Sequence, residues 1–146
     1  MAFQATPHKC NAPWGNGHYT DCDRGGCGMN TYKIDPNSYG PGSQYTINTN
    51  NAFQFNTTFV ETNGQLTAIN TVLSQGSKTF TMAHTDSNCG GGYLESLTSV
   101  VKSGMVLVFS SWGDSGGTMS WLDVPPCNGG SNCNNGAATF SNIAVF

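Results

Sequence analysis

From Tyr45 onward, apolar and polar residues alternate with a period of two, the spacing of strands that bury one face. Phe53, Phe55, Thr57 and Phe59 fall on one side of the first run, and Gln54, Asn56 and Thr58 on the other. Asn63-Gly64 follows, a dipeptide that accepts the positive φ angles of a two-residue hairpin turn. The spacing predicts a return strand from about Leu66 to Leu73, a turn at Gln75-Gly76-Ser77 and a third strand over Lys78–Met82. One segment changes period: Leu94, Leu97 and Val101 recur at helical spacing, and Gly104 stands where a C-terminal cap belongs. Beyond it the pattern predicts strands over Met105–Trp112, Thr118–Val124 and Ala137–Phe146. In the first of these, Val106, Val108, Ser110 and Trp112 share one face, and the more apolar Met105, Leu107 and Phe109 share the face expected to meet the core. Residues 3–42 carry no periodicity, only turn formers around three cysteines. With no repeat and no linker, the 146 residues read as one all-β sandwich with a short helix and long stapled loops.

Composition narrows what such a sandwich does. Gly (19), Asn (16), Thr (16) and Ser (14) make up 65 of the 146 residues, so the surface is built from neutral polar groups. Only 9% of residues are charged, the net charge is -3 and Arg24 is the single arginine, which leaves no basic patch to neutralise phosphates and argues against a nucleic-acid partner. The longest apolar run, Met105–Phe109, is far too short to span a bilayer, so no membrane partner is expected. Six cysteines among Gly and Asn read as a disulfide framework from an oxidising, extracellular compartment. Neither Cys22/Cys27 nor Cys127/Cys133 has the short gap of a zinc knuckle, and no metal or cofactor is expected. Met1-Ala-Phe-Gln-Ala-Thr-Pro lacks the charged and apolar regions of a secretion signal, so either the signal has been removed or the chain starts inside a longer protein.

Three constellations invite chemistry. Gly113-Asp114-Ser115-Gly116-Gly117 has the wording of the trypsin-like nucleophile motif, with His84 as the corresponding base. Only 31 residues separate His84 from Ser115, too few for that double barrel, and the run is also an ordinary loop. Among the eight carboxylates no Glu-x-Asp-x-x-Glu spacing and no convincing acid/base pair occurs; Asp21 and Asp23 flank Cys22, where a constrained loop is expected. The third constellation is aromatic. Trp112 and Trp121 stand at the two ends of a strand–loop–strand unit, with Asp114 and Asp123 two residues after each. Indole faces stack on the C–H faces of pyranose rings while carboxylates bind the hydroxyls, which suits a neutral polysaccharide; the alternative is that both tryptophans are core.

Longer strings carry a family resemblance. Ser103-Gly104-Met105-Val106-Leu107-Val108-Phe109-Ser110-Ser111-Trp112, followed by Met119-Ser120-Trp121-Leu122-Asp123, resembles the C-terminal half of glycoside hydrolase family 7, the fungal and protist endoglucanases and cellobiohydrolases. Thr6-Pro7-His8-Lys9-Cys10, Asp21-Cys22 with Gly26-Cys27, Tyr39-Gly40-Pro41-Gly42 and Phe140-Ser141-Asn142-Ile143 match it in order, so the resemblance covers essentially the whole chain. It implies part of a concanavalin A-like β-sandwich (jelly roll), with residues 1–146 as the C-terminal part of a single catalytic domain that is monomeric in the parent enzyme. The family's nucleophile and general acid/base lie in a Glu-x-Asp-x-x-Glu strand immediately before Thr-Pro-His, so both are expected upstream of Met1 and this stretch alone is expected to be inactive.

By the same resemblance His8 stands near the acid/base and the leaving-group sugar, Trp121 stacks at the first leaving-group subsite, and Trp112 stacks further into the glycone side. Asp114 follows Gly113 where the family usually carries an acidic pair. The product-binding arginine of the cellobiohydrolases is replaced by Gly17-His18-Tyr19, which favours an open-cleft endoglucanase acting on cellulose or another β-1,4-glucan. A cellobiohydrolase, a non-catalytic carbohydrate-binding derivative and, remotely, a serine protease are the alternatives. Spacing alone leaves fifteen disulfide pairings open. The resemblance implies Cys10–Cys22 and Cys27–Cys89, with Cys127 and Cys133 left to pair locally.

Overall fold

The computed structural model describes residues 1–10, 23–112, 122 and 137–146. They form two compact units, Met1–Met105 and Val106–Phe146.

The first unit is organised by a three-stranded antiparallel meander: β5 (Gln54–Thr62), β6 (Gln65–Gln75) and β7 (Lys78–Thr85). Before it, β1 (Gln4–Ala5) pairs antiparallel with β2 (Met29–Asn30), and β3 (Tyr39–Gly40) pairs in parallel with β4 (Ile47–Asn48). Two single-turn helices, α1 (Thr31–Ile34) and α2 (Asp86–Cys89), and the longer α3 (Tyr93–Ser103) complete the unit. Among the described residues no helix is long and apolar enough to cross a membrane.

The meander follows the alternation in the sequence. Asn63 and Gly64 take φ of 52° and 83°, the positive angles that the β5–β6 turn needs. Register places Phe55, Leu73 and Phe80 in one row, Thr57, Thr71 and Met82 in the next, and Phe59, Ile69 and His84 in a third. This is the inward face: Ile69, Thr71, Leu73, Met82 and His84 are all buried. The hydroxyls of Thr57 and Thr71 meet across it at 3.0 Å, so the buried Thr71 keeps its hydrogen bond. The opposite face carries Gln54, Asn56 and Thr58 of β5, all exposed. β7 runs three residues past the expected end at Met82, because its pairing with β6 continues through Ile69–His84 and Ala68–Thr85.

One irregularity determines how the helix docks. The pairing slips between Val60 and Glu61, which face Ala68 and Leu66, so Thr67 is an extra residue on β6. Such a bulge shifts the alternation by one. Leu66 therefore joins Ile69 in a cluster with Leu94 and Leu97 of α3. Along α3 the stripe is the expected one, with Val101 packed against that cluster and Gly104, at φ 111°, just past the helix end. Glu95 in the first turn and Lys102 in the last complement the helix dipole. The Asp86 carboxylate accepts from the Leu94 amide at 3.3 Å, so α2 supplies an acceptor at the start of α3.

In the second unit the Phe109 and Phe140 rings stack with centroids 4.5 Å apart. Here the strand expectation needs correction: 105–112 and 137–146 take no strand conformation. Val106, Leu107 and Val108 are 82%, 60% and 74% exposed, so the division into a core face and a cleft face is not realised. Alternation sorts side chains onto two faces only when a segment is laid into a hydrogen-bonded ladder. The expected partner strand, 118–124, lies outside the described residues except Leu122.

Candidate functional site

His8 follows the buried Pro7 in the loop after β1. That loop is sewn to the segment before β2 by main-chain bonds from the Asp23 amide to the Lys9 carbonyl (3.0 Å) and from the Cys27 amide to the Pro7 carbonyl (3.1 Å). Within this ribbon His8 Nδ1 lies 2.8 Å from the Asp23 carbonyl oxygen and 3.5 Å from its carboxylate, while the imidazole remains 44% exposed. Gly26 backs the ring at φ 54°. A Cβ there would come within 2.5 Å of the Pro7 carbonyl oxygen and 2.9 Å of His8 Nδ1, so only glycine fits.

Asp23 is itself held on three sides. Besides its main-chain bond, Oδ1 accepts from the Lys9 amide at 2.7 Å, and Oδ2 accepts from the Tyr93 hydroxyl at 2.5 Å. The same hydroxyl lies 3.0 Å from the Pro7 carbonyl oxygen. A phenol has one proton to give, and both neighbours are acceptors. Burial first, then the hydrogen bond and charge of Asp23, push the Tyr93 phenol well above its ordinary pKa, so it stays protonated as a donor. Tyr93 opens α3, and the Cys27–Cys89 disulfide (Cα–Cα 5.2 Å) ties the same ribbon to the end of α2.

The Cys27–Cys89 pairing is the one the resemblance implies. Cys10 is also disulfide-bonded; Cys22, Cys127 and Cys133 lie outside the described residues, so their pairings do too. Trp112, in the second unit, is 60% exposed, and its indole nitrogen donates to the Ser110 hydroxyl at 2.5 Å. Trp121 and Asp114 lie outside the described residues. Among those that are described, no three His, Cys, Asp or Glu side chains converge as metal ligands.

His84, the base in the protease alternative, is fully buried, with Nδ1 3.3 Å from the Ile69 carbonyl and Nε2 3.2 Å from the Ala5 carbonyl. A neutral ring donates to one of these two carbonyls, and burial between them packs this histidine between β6 and β1 with no edge to offer a nucleophile. The residues missed by pattern reading are Asp23 and Tyr93. Asp23 was expected only as part of a constrained loop, and no periodicity links it to a tyrosine 70 residues on.

The inward row pattern, the flanking ribbons and the disulfide stapling describe an all-β chain built as part of a jelly-roll β-sandwich. Sequence comparison names its lineage. The model of glycosyl hydrolase family 7 matches residues 2–91, and the chain belongs to that family. Endoglucanase EG-1 of Trichoderma longibrachiatum is 36% identical over 141 residues, covering 84% of this chain and 28% of that protein. The probable endo-beta-1,4-glucanase celB of Aspergillus flavus is 34% identical over 157 residues (84% of this chain, 37% of that protein), and endoglucanase 1 of Humicola insolens is 28% identical over 162 (86% and 40%). The chain thus spans well under half the length of these curated relatives.

Proposed function

We propose that residues 1–146 are the C-terminal part of the catalytic domain of a secreted, monomeric, retaining endo-β-1,4-glucanase, and that they contribute glucan-binding surface rather than the reacting carboxylates. The observation that carries this reading is the set of relatives named as endoglucanases at 34–37% identity over 84% of the chain. Retaining hydrolysis needs two carboxyl groups about 5 Å apart, one as nucleophile and one as acid/base. The only glutamates here are Glu61, 3.2 Å from the Lys102 ammonium, and Glu95, which accepts from Gln65. By the family resemblance, the nucleophile and acid/base are assigned to another part of the parent protein. His8 meets the leaving-group sugar, Trp112 and Trp121 stack on pyranose rings, and Asp114 binds hydroxyls. The disulfides fit an oxidising, extracellular setting.

The test is titration of the 146-residue chain with cellohexaose, followed by calorimetry and by the Trp112 indole N–H resonance. Weak saturable binding is expected, with no release of reducing ends. One aromatic–sugar stack is worth about 1 kcal/mol, so Trp112→Ala should weaken binding about fivefold without lowering the melting temperature. An indole resonance unmoved by saturating glucan, or reducing ends released by the pure chain, would overturn the assignment.

A further inference from the structure

We infer that Asp23 and Tyr93 are positioning residues that fix His8 in its Nδ1–H tautomer and so leave Nε2 as the nitrogen that meets a glucan hydroxyl; the last clause rests on the glucanase reading above. A carbonyl oxygen only accepts hydrogen bonds. With Nδ1 2.8 Å from the Asp23 carbonyl, the proton of the neutral ring belongs on Nδ1, and no described residue hydrogen-bonds Nε2. Neutral His8 therefore presents a lone pair, which accepts a hydroxyl proton. Once protonated, the same nitrogen donates to a hydroxyl oxygen. The hydrogen bond at one ring nitrogen thus decides what the other can do.

The arrangement depends on side chains remote in sequence. The Asp23 carbonyl faces His8 because the residue is clamped by the Lys9 main chain on one side and the Tyr93 hydroxyl on the other. Gly26 leaves the ring its room, since a Cβ there would lie 2.9 Å from His8 Nδ1. Tyr93 comes from the first turn of α3, so docking of that helix on β6 is transmitted to the orientation of a surface histidine.

The experiment is a long-range 1H–15N correlation of the imidazoles in the uniformly labelled 146-residue chain at neutral pH, with His8 assigned by its loss in His8→Gln. A pyrrole-type shift at Nδ1 and a pyridine-type shift at Nε2 are expected. In Tyr93→Phe, which keeps the ring and the disulfide, and in Asp23→Asn, the two shifts should move toward each other as the tautomers mix. A pyridine-type Nδ1 in the parent chain overturns the inference, as do two variants that both leave the pair of shifts unchanged. Cellotetraose added to the parent chain should shift Nε2. If it does not while the tautomer is as inferred, the glucan contact fails and the positioning role stands.

Discussion

Leu66 and Ile69 stand three residues apart on one strand, yet both side chains are buried in the same cluster against Leu94 and Leu97. Strict alternation would send them to opposite faces. The extra residue Thr67 reverses the phase between them, and its hydroxyl donates to the Val60 carbonyl at 3.3 Å, anchoring the bulge to the neighbouring strand.

Truncation within this cluster should be costly. Leu66→Ala and Leu97→Ala should each lower stability by about 2–5 kcal/mol in urea unfolding, the range for buried leucines. Because both line one cluster, the double variant should fall short of additivity or exceed it by at least about 0.5 kcal/mol. Val100→Ala, on the exposed side of α3, should change stability by less than about 0.5 kcal/mol.

Gly64 and Gly26, both at positive φ, separate backbone strain from steric exclusion. Nothing lies within 4 Å of a Cβ built at Gly64, so Gly64→Ala meets only the left-handed backbone and should cost about 1–2 kcal/mol. Gly26→Ala adds collisions with the Pro7 carbonyl and the His8 ring. Its melting temperature should therefore fall further than that of Gly64→Ala; equal losses would contradict the packing around His8.

Removing the crosslink while leaving the chain intact tests its contribution. A sequence separation of 62 between Cys27 and Cys89 corresponds to about 4 kcal/mol of loop-closure entropy in the unfolded state. Cys27→Ala/Cys89→Ala should lower the urea midpoint by a corresponding amount. A double variant as stable as the parent would exclude that contribution.

Alkaline pH should destabilise the fold through Tyr93. Its pKa is raised in the folded state, so folding favours the protonated phenol. That contribution is complete below the ordinary tyrosine value of about 10 and is lost as pH climbs from there toward the folded value. Unfolding midpoints should hold steady to about pH 9 and decline above about pH 10, with a shallower decline in Tyr93→Phe. An identical slope in parent and variant would contradict the Tyr93–Asp23 bond.

Much of the first unit was legible because its chemistry is local. Phe53, Phe55 and Phe59 against Gln54, Asn56 and Thr58 specify a strand, Asn63-Gly64 a turn, and Leu94, Leu97 and Val101 a helix. The bulge was not legible, since Thr67 is as ordinary a strand residue as Thr71 and the phase change depends on what Val60 and Glu61 pair with. Nor were α1 and α2, each one turn with no apolar stripe; α1 is fixed by the Asn30 side chain accepting from the Lys33 amide at 2.8 Å. Met105–Trp112 shows the converse, strong alternation with no strand conformation. Among the candidate residues, His8 and Trp112 could be named from family strings, whereas the Asp23–Tyr93 clamp exists only once α3 docks.

The Cys27–Cys89 bond makes a covalent ring of the chain from residue 27 to residue 89, and the whole of β5, β6 and β7 lies within it. A protease that nicked the ring at the Asn63-Gly64 turn would yield two polypeptides but a single molecule, one band on a gel without reductant and two with it. Each piece would keep its partner strand tethered at high local concentration. A cut inside the ring would therefore leave the apparent size of the molecule unchanged on a gel run without reductant.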